Sequence, residues 1–185
     1  MTTHTLNSIL VLATALLAVF WAAAFNGIRH LLGAQVDLLP ALMVYAALSH
    51  RMTTVTLLAV TGGLLFDALS ANPPGVSVLP LFVIGCFIHS RREVILRNEP
   101  FAQFILGLGA SAAAPVLTVL ILLTEGQQPL LGWGSLWQWF VMTLGGGIAA
   151  PVLFQLFALV DRAFCYRPAT QTSFRQDREI RRGRF

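Results

Sequence analysis

Residues 100–124 and 134–160 contain no charged side chain. Each stretch exceeds the about 20 apolar residues that a helix needs to cross a hydrocarbon core of ~30 Å. A chain with two such stretches has few folds open to it, because in lipid every backbone N–H and C=O must be satisfied within a helix or a closed barrel. Composition removes the main alternative, a large soluble core. Only 11% of the 185 residues are charged and 56% are hydrophobic, with mean hydropathy +0.74, whereas soluble domains carry about 25% charged residues. So few charges do not cover a globular surface, and the chain reads as an integral membrane protein.

Glycines, prolines and charge clusters divide the sequence into six apolar runs, at about 6–25, 38–49, 53–71, 76–90, 100–124 and 134–160. The expected architecture is all-α: a six-helix transmembrane domain over 1–160, then a basic tail over 161–185. The second and fourth runs are short, since a twelve-residue helix reaches only about 18 Å. Such helices start within the headgroup region, thin the bilayer locally, or sit inside the bundle behind longer neighbours. Ala22-Ala23-Ala24 resembles a signal-peptide cleavage site. However, no lysine or arginine precedes it and the apolar run is long, so the first run is read as a retained span.

All twelve basic residues are arginine, which excludes lysine Schiff-base chemistry and a P-loop lysine. Six spans put Arg51, Arg91, Arg92, Arg97 and the tail's Arg162, Arg167, Arg175, Arg178, Arg181, Arg182 and Arg184 on one side, and only Arg29 on the other. The positive-inside rule then makes both termini cytoplasmic. Trp133, Trp137 and Trp139 cluster at the outer start of the last span, where interfacial anchors sit. Arginines beside the cytoplasmic face, among them Arg91, Arg92, Arg97, Arg162, Arg178, Arg181 and Arg182, attract anionic lipid at about 1 kcal/mol each. Partner docking is a second role for the tail. Nucleic-acid binding is disfavoured, for want of aromatic stacking platforms.

One acid stands out. Asp67, in GGLLFDALSANPPG, lies near the outer end of the third span and just before a double-proline turn. Thr56, Val60, Gly63, Asp67 and Ser70 fall on one helical stripe that is small and polar, while Leu57, Leu58, Leu64, Leu65 and Leu69 lie largely elsewhere. Gly62 and Gly63 would admit a neighbouring helix, and Asp67 would hydrogen-bond across that contact. Its expected partners are Asn26, Arg29, His30 or the backbone amides of the turn at 72–75. The reading favours a structural buttress, ahead of partner or ligand contact, with proton or ion handling last. Asp37, before a helix whose first turn holds Pro40, reads as an N-cap. Thr14, Ala18 and Ala22 line the first span at helix-packing spacing, as Gly107 and Ser111 do the fifth and Gly146 and Ala150 the sixth. Pro115 and Pro151 are expected to kink those two long helices.

Signatures of catalysis, cofactor binding and metal binding are missing from the sequence. His4, His30, His50 and His89 lack the i, i+4 pairing and carboxylate escort of a metal site. Cys86 falls inside a span and Cys165 beyond the last one, so a disulfide between them is not expected.

The arrangement AQVDLLPALMVYAALSHR, followed by GGLLFDALSANPPGVSVLPLFVIGCFIHSRR, resembles the MreD family of rod shape-determining proteins. The match falls on Asp37, Leu38 and Leu39, then on Gly63, Leu64, Leu65, Asp67, Ser70 and Gly75, with Pro73 or Pro74 as the turn proline. It covers about residues 35–92; elsewhere only span number and size agree. Val36 departs from the proline usual before the aspartate, and the double proline makes a heavier turn. The resemblance implies a non-enzymatic subunit of the bacterial inner membrane within the cell-elongation machinery. Such a subunit binds the single-span scaffold MreC, and through it links MreB filaments to the peptidoglycan polymerase and transpeptidase. The alternative is a substrate-binding S component of an energy-coupling-factor vitamin transporter, also a small six-span protein, whose coupling face Thr14, Ala18 and Ala22 would imitate.

Overall fold

The computed structural model describes residues 3–24, 33, 36–70, 73–93, 95, 99–126 and 132–164, with backbone alone at 3–8, 21–24 and 161–164. Among these the chain forms six helices: α1 (Thr3–Ala24), α2 (Leu39–Ser49), α3 (Met52–Ser70), α4 (Val78–Ser90), α5 (Pro100–Thr124) and α6 (Trp133–Phe164). Three of them are long and apolar enough to cross a membrane: Met52–Ser70, Pro100–Thr124 and Trp133–Val160. An all-α architecture with several such helices marks a multi-pass membrane protein. The last helix runs on to Phe164, past the expected end at 160. The tail beyond it, with Arg178, Arg181 and Arg182, lies outside the described residues, as do Arg97, Asn26, Arg29 and His30; of Arg162 and Ala22 only the backbone is described.

The shortest helix is the centre of the bundle. α2 is apolar on every side, and ten of its eleven residues, Leu39 through Leu48, are buried. A helix hydrophobic all round has no polar face to offer solvent and is stable only when surrounded. Each of the other five helices packs against it, in the order α1, α3, α4, α5, α6 around its girth. Of the three fates open to a short span, α2 takes the sheltered one. α4 does not: Pro80, Leu81, Ile84, Gly85 and Ile88 face inward, while Leu79, Phe82, Val83 and Phe87 are exposed.

Small residues set the closest approaches. A Cβ on Gly85 of α4 would stand 2.6 Å from Val55 Cγ1 of α3 and 2.7 Å from Met43 Sδ of α2, so three helices converge on that glycine. On α5 and α6 the expected ridges meet each other. A Cβ on Gly107 would lie 2.5 Å from that of Ala150, and one on Gly146 would overlap Ser111 Oγ. Gly-xxx-Ser against Gly-xxx-Ala lets the two backbones touch. On α1 the buried line is Val11, Ala15 and Val19. Thr14 and Ala18 sit half-buried at its edge, and Thr14 Oγ1 donates to Leu10 O at 2.8 Å within its own helix.

Two clusters define the ends of the bundle. At one end Tyr45 of α2 stacks on Phe157, with ring centroids 4.2 Å apart, and meets Phe154 edge-on at 5.0 Å. His89 Nδ1 there lies 2.9 Å from Ala47 O, joining α4 to α2. Arg51, Arg91 and Arg92 are exposed at this same end. The opposite end holds Asp37, the 73–77 turn and the exposed start of α6 with Trp133.

Candidate functional site

α3 reaches the second end with Gly62, Gly63 and Asp67 all buried. The buried surface of this helix follows two i, i+4 ridges, Val55-Ala59-Gly63-Asp67 and Thr54-Leu58-Gly62. The expected stripe is therefore corrected at its margins. Leu58 faces inward, Val60 and Ser70 are exposed, and Thr56 is half-buried. Each i, i+4 step turns a row by about 40° on a helix of 3.6 residues per turn, so the buried face slants around α3 and leaves the straighter four-three stripe. Ser70 turns back on its own helix, donating Oγ–H to Phe66 O at 2.6 Å.

Asp67 is 1% exposed, and among the described residues its carboxylate meets backbone amides. Oδ2 accepts the Gly75 N–H at 2.8 Å, and Ser77 N–H lies 3.2 Å from both oxygens. Those amides belong to the turn that opens α4. Pro73 O accepts Val76 N–H at 3.4 Å, and Gly75 has φ +102°. Pro74 and a left-handed Gly75 at the two central positions are the residues a type II turn requires. Ser77 carries the first unpaired amides of α4, where the helix dipole also favours a negative charge. One carboxylate thus ties the end of α3 to the start of α4. The amide partners expected at 72–75 extend to Ser77.

Gly63 lies one turn below Asp67 and completes the joint. A Cβ there would stand 2.7 Å from Val78 Cα and 2.8 Å from Val78 N, so the backbones of α3 and α4 are in contact. Gly62 faces the other way, where a Cβ would meet Leu39 Cδ2 at 3.0 Å. Leu39 begins α2, and its N–H donates to Asp37 Oδ1 at 2.9 Å. Leu38 is already αR, so Asp37 occupies the functional N-cap position, within the one-residue latitude of helix boundaries. Asp37→Ala should lower the unfolding free energy by about 1 kcal/mol through loss of this cap. Thermal unfolding of the purified variant in detergent checks it, and Asp37→Asn should recover most of the loss.

Beside this joint lies open space. A pocket of about 170 Å³ is bounded by Asp37, Phe66, Ser77, Pro115, Thr118 and Met142. Through Pro115, Val119 and Met142 it adjoins a larger cleft of about 1000 Å³ between α5 and α6, walled by Val116, Leu120, Leu136 and Trp139. The two helices touch at Gly107–Ala150 and part above Ser111. Trp139 Nε1 donates to Ala112 O at 3.0 Å at the foot of the cleft. Trp133, Trp137 and Trp139 are all exposed. The chain matches no family model, no curated protein and no solved structure.

Proposed function

We propose that this chain is a non-enzymatic scaffold subunit of the bacterial cell-elongation machinery, in the manner of the MreD proteins it resembles. On this reading it spans the inner membrane six times with both termini in the cytoplasm. It binds MreC, and so helps couple MreB filaments to peptidoglycan synthesis and cell shape. One observation carries the reading. The two separate stretches of the resemblance, Asp37–Leu39 and Gly63–Gly75, come together at one end of the bundle, where Leu39 packs on Gly62 beside the second stretch, Asp37 and Phe66 border one pocket, and Asp67 ties the Gly75 turn back to α3. Residues that carry a likeness over a linear distance thus have a shared structural task. On this reading the task is rigidity, supported by Asp67, whose two oxygens both accept from backbone amides, and by Asp37, whose Oδ1 accepts from Leu39 N–H. The orientation rests on Arg51, Arg91 and Arg92, exposed at one end of the bundle, which the positive-inside rule assigns to the cytoplasm.

The cleft between α5 and α6 is the feature that speaks for the rival, a solute-binding component. Among the described residues its walls are chiefly apolar, with Ser135 and Gln138 as the polar side chains on its rim. Small-molecule sites need a few placed polar groups to orient a ligand, and a polar vitamin would find few here. Purification in mild detergent, followed by identification of everything that comes with the chain, separates the two readings. A stoichiometric single-span partner is the expected result. A tightly held vitamin with no protein partner would overturn the scaffold reading.

A further inference from the structure

The two sides of the bundle present hydrophobic bands of very different height. On α4 the exposed apolar residues run from Leu79 to Phe87, a rise of about 12 Å. The whole helix, of thirteen residues, spans about 20 Å. On its neighbour α3 the band runs from Leu57 to Leu69, about 18 Å. Across the bundle, Phe101 to Leu123 of α5 spans about 33 Å, and Trp133 to Leu159 of α6 about 39 Å. Only α5 and α6 exceed a hydrocarbon core of ~30 Å; α3, nineteen residues and about 28 Å from end to end, comes close to it, and α4 falls far short.

Tilt cannot bring α4 up to the thickness of the core, because tilting shortens a helix's projection and never lengthens it. Nor is α4 free to slide or grow. Its start is tied to α3 by Asp67 and by the Gly63–Val78 contact, and its middle is locked by Gly85 against Val55 and Met43. At its far end Arg91, Arg92 and Glu93 are exposed, and the Arg91 N–H closes the helix on Ile88 O at 3.1 Å. Burying both arginines in hydrocarbon costs about 5–7 kcal/mol on insertion scales, whereas about 10 Å of compression at a few tenths of a kcal/mol per Å costs about 3 kcal/mol. The lipid therefore yields first.

We propose that the α4 face thins the bilayer locally, so that it is an interaction surface for short or compressed lipid. The α5–α6 face takes a bilayer of ordinary thickness. The occupant of the short face is lipid because its apolar band ends at two arginines, which complement anionic headgroups drawn toward the bundle. The inference needs only a membrane-embedded chain and stands apart from the elongation-machinery reading.

The test uses the full chain in vesicles of monounsaturated phosphatidylcholine of graded length, from about 14 to about 22 carbons, with a fixed share of phosphatidylglycerol. Thermal stability should peak at chains shorter than those that give a core of ~30 Å and fall toward the longest. Arg91→Leu/Arg92→Leu, which extends the apolar band by about 3 Å, should move the optimum to longer lipid. An optimum at the long end, or one unmoved by the double variant, overturns the proposal. A second measurement does not depend on those variants folding well. Nitroxides placed singly at Leu79→Cys and Ser90→Cys, in a Cys86→Ser/Cys165→Ser background, should both report headgroup depth although they lie about 17 Å apart along the helix. A reading of mid-hydrocarbon depth at either site overturns it. So does high-yield disulfide dimerisation through Cys86 in Cys165→Ser membranes, because a second copy would then cover the face.

Discussion

Asp67→Leu should cost about 2–6 kcal/mol and take most of the folded protein with it. The substitution keeps roughly the shape of the side chain and removes both acceptors, stranding the buried Ser77 amide and the half-buried Gly75 amide. Each unmatched buried donor costs about 1–3 kcal/mol, against a total stability on the order of 5–15 kcal/mol. Asp67→Asn should be much milder. A carbonyl in the Oδ2 position still accepts from Gly75 at 2.8 Å and can reach Ser77, while the new NH2 group faces the Ser77 donor. Monodisperse yield by size-exclusion chromatography and the denaturation midpoint in detergent give the order: native, then asparagine, then leucine. Equal losses for the two variants would mean that negative charge, rather than acceptor geometry, is what the joint needs. Wild-type behaviour of the leucine variant would remove Asp67 from the fold's supports altogether.

Gly63→Leu should abolish the folded state, and Gly63→Ala should destabilise it by about 1–3 kcal/mol through overpacking. The obstruction is backbone, at 2.7 Å to Val78 Cα and 2.8 Å to Val78 N, so no rotamer change relieves it. Only a shift of the first turn of α4 does, and that shift draws the Ser77 amide away from Asp67. The two sites should therefore be coupled. In the Asp67→Leu background, Gly63→Ala should cost less than it does in the native chain. Gly109→Ala is the control. A Cβ there meets nothing within 4 Å, and the change gains the about 1 kcal/mol by which alanine exceeds glycine in a helix. If Gly63→Ala proves as harmless as Gly109→Ala, the contact between α3 and α4 is looser than the geometry states.

The sequence made the elements plain, because charges, prolines and glycines stand where apolar runs end. The fifth run, 100–124, coincides with α5, and the second, 38–49, begins one residue before α2. The Asp37 cap was legible for the same local reason: its partner is two residues away. Asp67 was legible as a buttress, since its partners lie in the turn that follows it. Placement of α2 was not, because a helix apolar on all sides carries no face that points to its surroundings. The fine register of α3 also escaped, as Val60 and Ser70 show. Small residues occur on more than one of its faces, and only the neighbouring helices select among them. His89 gave no sign of its contact with Ala47 O, which spans 42 residues of sequence.

The buried α2 has a consequence for biogenesis. At eleven residues it is too short to be a stable span by itself, so the first stage of membrane folding, in which helices insert singly and associate later, does not serve it well. Only His50 and Arg51 separate it from α3, and the pair is short enough to enter as one hairpin. Even then, part of the surface of α2 is matched by helices that have not yet been made. The ring of Tyr45 rests on Phe154 and Phe157 of α6, which leave the ribosome more than a hundred residues later. The bundle is thus built around an element that waits more than a hundred residues for some of its neighbours, and among the described helices α6 is the one that closes the fold.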